Sequence, residues 1–132
     1  MTVKILLITH DEIGKSLLVA AINILGFCPL SAELLPAPLD CDPQTLTNQA
    51  RSKIAELNQN EDMLILTDIY GSTPSNIACN LLDEDNVRVI SGVNLPMLIR
   101  VLNYPTLELD ELAHKAVSGG KEGIMNCNTD YE

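Results

Sequence analysis

Four times along the chain a mainly aliphatic run of strand length is followed by apolar residues at helical spacing. This alternation constrains the fold more than any other feature. Val3 to Thr9 is the first run, and Leu17, Leu18, Ala21, Ile22 and Leu25 then mark one face of a helix that Gly26 stops. Ala32 to Leu35 is shorter and flanked by Pro36 and Pro38, which suits an edge strand because proline cannot donate to a ladder. Asp42-Pro43 reads as an N-cap with a first-turn proline, leading to Leu46, Ala50, Ile54 and Leu57 on a second helix. Met63 to Leu66 is the third strand; Thr73-Pro74 repeats the cap-proline signal ahead of Ile77, Ala78, Leu81 and Leu82. Val87 to Ile90 is the fourth strand, and Asn94 caps a helix carrying Leu98, Val101 and Leu102. Thr106 opens a last helix with Leu109, Leu112, Ala113 and Ala116, which Gly119-Gly120 ends. Lys121 to Cys127 is then a short closing strand.

Strands without a polar face need cover on both sides, and right-handed crossovers limit how helices supply it. The expected architecture is therefore an α/β domain over residues 1–132, a doubly wound and mainly parallel sheet in the order 2-1-3-4 with helices on both faces. In that winding the crevice beyond the carboxyl ends of strands 1 and 3 collects ligands. Function is therefore sought at Thr9-His10-Asp11-Glu12 and at Thr67-Asp68-Ile69-Tyr70-Gly71-Ser72-Thr73-Pro74.

Composition narrows the partners. Eighteen acidic against eight basic side chains leave a formal charge of -10, which repels nucleic-acid phosphates and anionic lipid heads. Aromatics are 3% of the chain and Trp is absent, so stacking platforms for bases are scarce. The first run is too short and too soon charged for a signal sequence or a membrane span, so a cytoplasmic protein without membrane insertion is expected. Cys28, Cys41, Cys79 and Cys127 lie 13, 38 and 48 residues apart, with no CxxC pair, and are read as reduced and structural.

At the switch point His10 faces Asp68 from the neighbouring strand end. A carboxylate that accepts the Nδ1 proton leaves Nε2 as a lone-pair nucleophile and stabilises positive charge developing on the ring. Beyond Asp68, Gly71-Ser72-Thr73-Pro74 turns into a helix whose first N–H groups lack partners, an arrangement that cradles anions; helix capping is the plainer reading of the same residues. Nucleophile, orienting carboxylate and oxyanion-binding turn together suit phosphoryl transfer.

The segments THDEIGKSLL, TDIYGSTPSN and SGVNLPML resemble, in order and spacing, the signature regions of the enzyme IIA component of mannose-family sugar phosphotransferase systems, and the likeness runs from Met1 to about Met125. The resemblance implies that His10 accepts a phosphoryl group from the phosphocarrier protein HPr and passes it to a IIB domain. It implies Asp68 as the orienting partner, Gly71, Ser72 and Thr73 as phosphoryl-binding residues, and Tyr70 and Asn94 as contacts to partner proteins. It implies no cofactor and no metal. It also implies a homodimer that exchanges a C-terminal strand, matched here by Gly120 to Met125, and a IIB domain acting in trans. Departures are visible: Ser72 where Gly is common, Tyr70 where Trp is common, and Asp11-Glu12 where small or apolar residues are usual.

Rival readings remain at this stage. A phospho-receiver domain shares the winding but needs a Lys at the end of a fifth strand, and Lys115 and Lys121 are misplaced for it. A metal site from His10, Asp11, Glu12 and Asp68 lacks the helical spacing of zinc motifs. A phosphorylation-state regulator that moves no sugar uses the same residues, and the phosphoryl-donor subunit of dihydroxyacetone kinase is related, although GVNLPM favours sugar transport. His114 on the last helix is read as an exposed, solvating histidine.

Overall fold

The computed structural model describes residues 1–128. Its elements are β1 (Thr2–His10), α1 (Ile13–Leu25), β2 (Ala32–Ala37), α2 (Pro43–Ala55), β3 (Glu61–Thr67), α3 (Thr73–Cys79), β4 (Val87–Ser91), α4 (Leu95–Leu102) and α5 (Leu109–Glu122). The sheet is parallel throughout, in the order β2-β1-β3-β4, as the alternation of strands and helices implied. Among the described residues no helix is long and apolar enough to cross a membrane.

The strands are apolar on both sides because both sides are core. Val3, Ile5 and Leu7 of β1 with Leu64 and Leu66 of β3 pack under α1, α4 and α5, while Leu6, Ile8, Met63 and Ile65 pack under α2 and α3. Each fully buried Leu or Ile contributes roughly 1.5–3 kcal/mol by leaving water, so the two central strands anchor the fold. Pro36 is tolerated because β2 is an edge strand pairing with β1 alone. Asp42 caps α2 by accepting from Gln44 N, and Pro43 follows at the first position.

Three expectations are corrected. The helix after β3 ends at Cys79; residues 81–84 wind on through three-residue turns that bury Leu81 and leave Leu82 exposed. The last helix begins at Leu109 rather than Thr106, because Tyr104 to Leu107 first closes a turn. Most consequentially, Gly119-Gly120 does not end that helix. It continues to Glu122, so Lys121 and Glu122 are helical where a strand was expected, and Gly123 to Asn128 makes no sheet ladder among the described residues. Small residues here serve packing: a Cβ on Gly119 would lie 2.6 Å from Arg100 Cβ, and one on Gly120 2.9 Å from Met97 Cε. The glycines let α5 cross close to α4.

Candidate active site

β1 delivers His10 as its last residue, paired with Ala37 of β2, and β3 ends at Thr67 beside Ile8, so Asp68 emerges next to His10. The two touch. Asp68 Oδ2 accepts from the His10 backbone N–H at 2.9 Å and lies 2.8 Å from His10 Nδ1, while Oδ1 accepts from Ile69 N at 3.0 Å. The Asp68 side chain is 10% exposed and that of His10 39%.

Burial pushes the Asp68 pKa up. The hydrogen bonds from the His10 backbone and ring, the charge on that ring and the carboxyl's own backbone N–H together outweigh burial and hold it below the usual carboxylate value. An ionised carboxylate only accepts, so Nδ1 carries the proton. The lone pair of the neutral ring is then on Nε2, on the side away from Asp68.

The junction from β1 into α1 is closed by a contact that sequence reasoning did not foresee, between Thr9 and Gly14. Thr9 is buried, and its Oγ1 accepts from Gly14 N at 2.8 Å, satisfying one of the unpartnered N–H groups of the first helical turn in place of Glu12, whose side chain makes no cap bond. Asp11 sits in the left-handed region at φ 44°, with its N–H on Ala37 O. The sequence signal was there in the polar Thr closing an apolar run, but its partner five residues on was not.

The turn after Asp68 is built differently. Gly71 has φ 87°, Ser72 Oγ donates to Ile69 O at 2.7 Å, and Asn76 Nδ2 donates to Gly71 O at 3.4 Å. Ser72, not Thr73, is the N-cap of α3, and its side chain makes no cap bond because the hydroxyl is turned back to Ile69. Gly71, Ser72 and Thr73 follow Asp68 in the chain after Ile69 and Tyr70. Tyr70 is 81% exposed beside them. Asn94 has a structural task at the head of α4: its Oδ1 accepts from Met97 N at 2.9 Å and its Nδ2 donates to Gly120 O at 3.1 Å.

Behind the turn lies a second feature not foreseen, a group of three hydroxyls. Thr67 Oγ1 donates to Ser91 Oγ at 2.8 Å, and Ser75 Oγ lies 3.1 Å from the same oxygen. His114 is exposed, and Lys115 lies over the Tyr104 ring at 4.6 Å, engaged away from the position a receiver lysine would take at a strand end. Among the described residues no group of three His, Cys, Asp or Glu side chains converges as a metal site would, and the four cysteines are unpaired with one another.

The family model described as PTS system fructose IIA component matches residues 4–117. The mannose-specific EIIAB component of the phosphotransferase system (PTS) in Escherichia coli K12 is 32% identical over 127 residues, covering 94% of this chain and 39% of the relative. This chain thus spans about two fifths of that protein's length. The fructose-specific EIIA component of Bacillus subtilis is 30% identical over 91 residues, covering 67% of this chain and 62% of the relative. In structure, the mannose/sorbose specific IIA subunit from Enterococcus faecalis superposes with a TM-score of 0.86 at 23% identity, over 100% of this chain and 99% of that one. A putative phosphoenolpyruvate-dependent sugar PTS permease from Klebsiella pneumoniae gives 0.83 at 26% identity, over 97% and 93%. The winding, the strand-end histidine with its carboxylate and the match over most of the chain agree: this chain belongs to the PTS IIA component family of the mannose and fructose type, whose members are phosphotransferase components.

Proposed function

We propose that residues 1–132 act as one IIA domain in which His10 Nε2 accepts a phosphoryl group from phospho-HPr and passes it to a IIB domain for sugar uptake. The observation that carries this reading is the 2.8 Å contact between His10 Nδ1 and Asp68 Oδ2, which leaves Nε2 as the free nucleophile on an accessible ring. In the acceptance step the bond from phosphorus to the donor's histidine nitrogen breaks as the bond to Nε2 forms. Asp68 keeps the Nδ1 proton and offsets the positive charge that grows on the ring. Gly71, Ser72 and Thr73 are assigned to the phosphoryl oxygens, through backbone N–H groups at the start of α3 and the Thr73 hydroxyl, with the Ser72 hydroxyl joining once it turns from Ile69 O. The more open the ring, the better it suits two successive protein partners; Tyr70 is the contact we assign to them first, and Asn94 the second, although both ends of its amide are already engaged. We also propose a homodimer in the cytoplasm, since among the described residues the outer edge of β4 has no neighbouring strand.

Incubation with phosphoenolpyruvate, enzyme I and HPr should add one phosphoryl group per chain, stable to alkali and lost in acid. His10→Ala should abolish it. Full labelling of that variant overturns the assignment, and an adduct cleaved by hydroxylamine would mark an acyl phosphate on Asp68 instead. Sedimentation as a strict monomer at micromolar concentration would remove the dimer without touching the relay.

A further inference from the structure

We propose that Ser91, at the end of β4, is a positioning residue for phosphoryl acceptance, acting as the one hydroxyl to which both ends of the turn after Asp68 are fastened. The inference rests on the relay reading above and adds a residue on a strand that takes no other part in it. Thr67 is the last residue before Asp68, and Ser75 lies in the first turn of α3, so the two flank the whole segment from Asp68 to Pro74. Both are buried, and both side chains reach Ser91 Oγ, at 2.8 and 3.1 Å. The backbone repeats the tie, because Gly92 N and Val93 N both donate to Thr67 O, at 3.0 and 2.9 Å.

The bonds inside the turn cannot do this work. Ser72 to Ile69 and Asp68 to Ile69 join residues within the segment, and Asn76 to Gly71 joins it to the next turn of the same helix. They shape the turn but do not place it on the sheet. Placement comes from the His10–Asp68 contact at the front and the Ser91 hub behind. A hydroxyl oxygen can accept from two donors, or accept from one and donate to the other, so a single Ser satisfies two buried partners. Alanine at this position removes both side-chain ties at once and leaves only the backbone bonds of Thr67. Phosphoryl transfer depends on aligned groups, and displacement of a positioning element by about 1 Å costs up to about a hundredfold in rate.

The test uses the full chain and phospho-HPr as donor in single-turnover labelling of His10, with kcat the labelling rate constant at saturating phospho-HPr and KM the half-saturating phospho-HPr concentration. Ser91→Ala should lower kcat about tenfold while KM for phospho-HPr stays within about twofold, the signature of lost alignment rather than lost docking. Potassium phosphoramidate, a small donor that needs no docking, should show the same loss. Ser91→Thr keeps the hydroxyl and should retain kcat within about threefold of wild type, by the same alignment argument.

Ser91→Ala strands two buried hydroxyls, so instability alone is a competing cause. A triple variant, Thr67→Val with Ser75→Ala and Ser91→Ala, removes all three hydroxyls and leaves none unpaired, which restores the denaturation midpoint toward wild type. Its kcat should remain low. Recovery of wild-type kcat in the triple variant would show that the hub only stabilises, and overturns the proposal. So does a Ser91→Ala protein with wild-type kcat, or one whose loss lies wholly in KM. A wild-type chain that takes no label overturns the relay reading itself and the proposal with it, which sets the two failures apart.

Discussion

Two strand-to-helix junctions meet at the switch point, and they are built on opposite principles. Between β1 and α1 only Asp11 and Glu12 intervene, and the junction is locked from inside by Thr9 Oγ1 on Gly14 N. Gly14 is buried there with no room to spare: a Cβ would stand 2.7 Å from Thr9 Oγ1 and 3.3 Å from Leu7 Cβ. Between β3 and α3 the connection runs from Asp68 to Ser72, exposes Ile69 and Tyr70, and places Gly71 in the left-handed region with open space around it. One junction holds His10 at a fixed place. The other presents a surface and is held mainly at its ends. The lesson is that one fold supplies a rigid strand end and an open, accommodating turn side by side by varying loop length and burial, which is what the proposed relay requires.

The comparison breaks first at the contact that joins the two junctions. Asp68→Asn keeps the shape but removes the charge that holds the Nδ1 proton, and phosphoryl acceptance should slow by roughly two to four orders of magnitude with the fold intact. Quench-flow rates equal to wild type would show that the pair has no part in the transfer.

Next in size is a direct test of the rigid junction. Gly14→Ala forces Thr9 or α1 to move and should cost about 1–3 kcal/mol in denaturant unfolding, with a parallel loss of labelling as His10 shifts. Gly71→Ala meets no atom, so only its φ of 87° opposes it, and a cost of about 1–2 kcal/mol is expected. If the alanine at 71 proves the more damaging to stability, the division into a packed and an open junction is wrong.

The smallest effect concerns acid. Asp68 has its folded-state pKa depressed, so the stability it contributes is present above the unfolded value, about 3.9, and is lost as pH falls through the folded one. Unfolding midpoints of wild type and Asp68→Asn should therefore differ most near neutrality and converge below about pH 4. A gap that is constant down to pH 2 would mean that the carboxylate is not ionised in the folded protein.

Much of this was legible in the chain alone. Mainly aliphatic runs from Val3 and Met63, alternating with helical patterns, implied a covered parallel sheet, because an exposed face would have required alternating polar residues. The strand order and the handedness of the crossovers then bring His10 and Asp68 to the same crevice, 58 residues apart in sequence. Asp42-Pro43 and Asn94 announced their helices because capping is local chemistry, decided within three residues.

What tertiary structure decided was which atoms come into close contact once the elements are packed. Gly119-Gly120 reads as a stop in one dimension, yet α4 passes so close that a Cβ at 119 would meet Arg100 Cβ, and the helix runs on to Glu122. Ser75 and Ser91 carry no signal as single residues; they gain a role because β4 and α3 meet behind Thr67. Thr9 and Gly14 become a pair only once the helix folds back against the strand that precedes it. Local propensity and periodicity are sums over neighbours in the chain. Close approach and hydroxyl networks are properties of elements brought together by burial, so no window of sequence contains them.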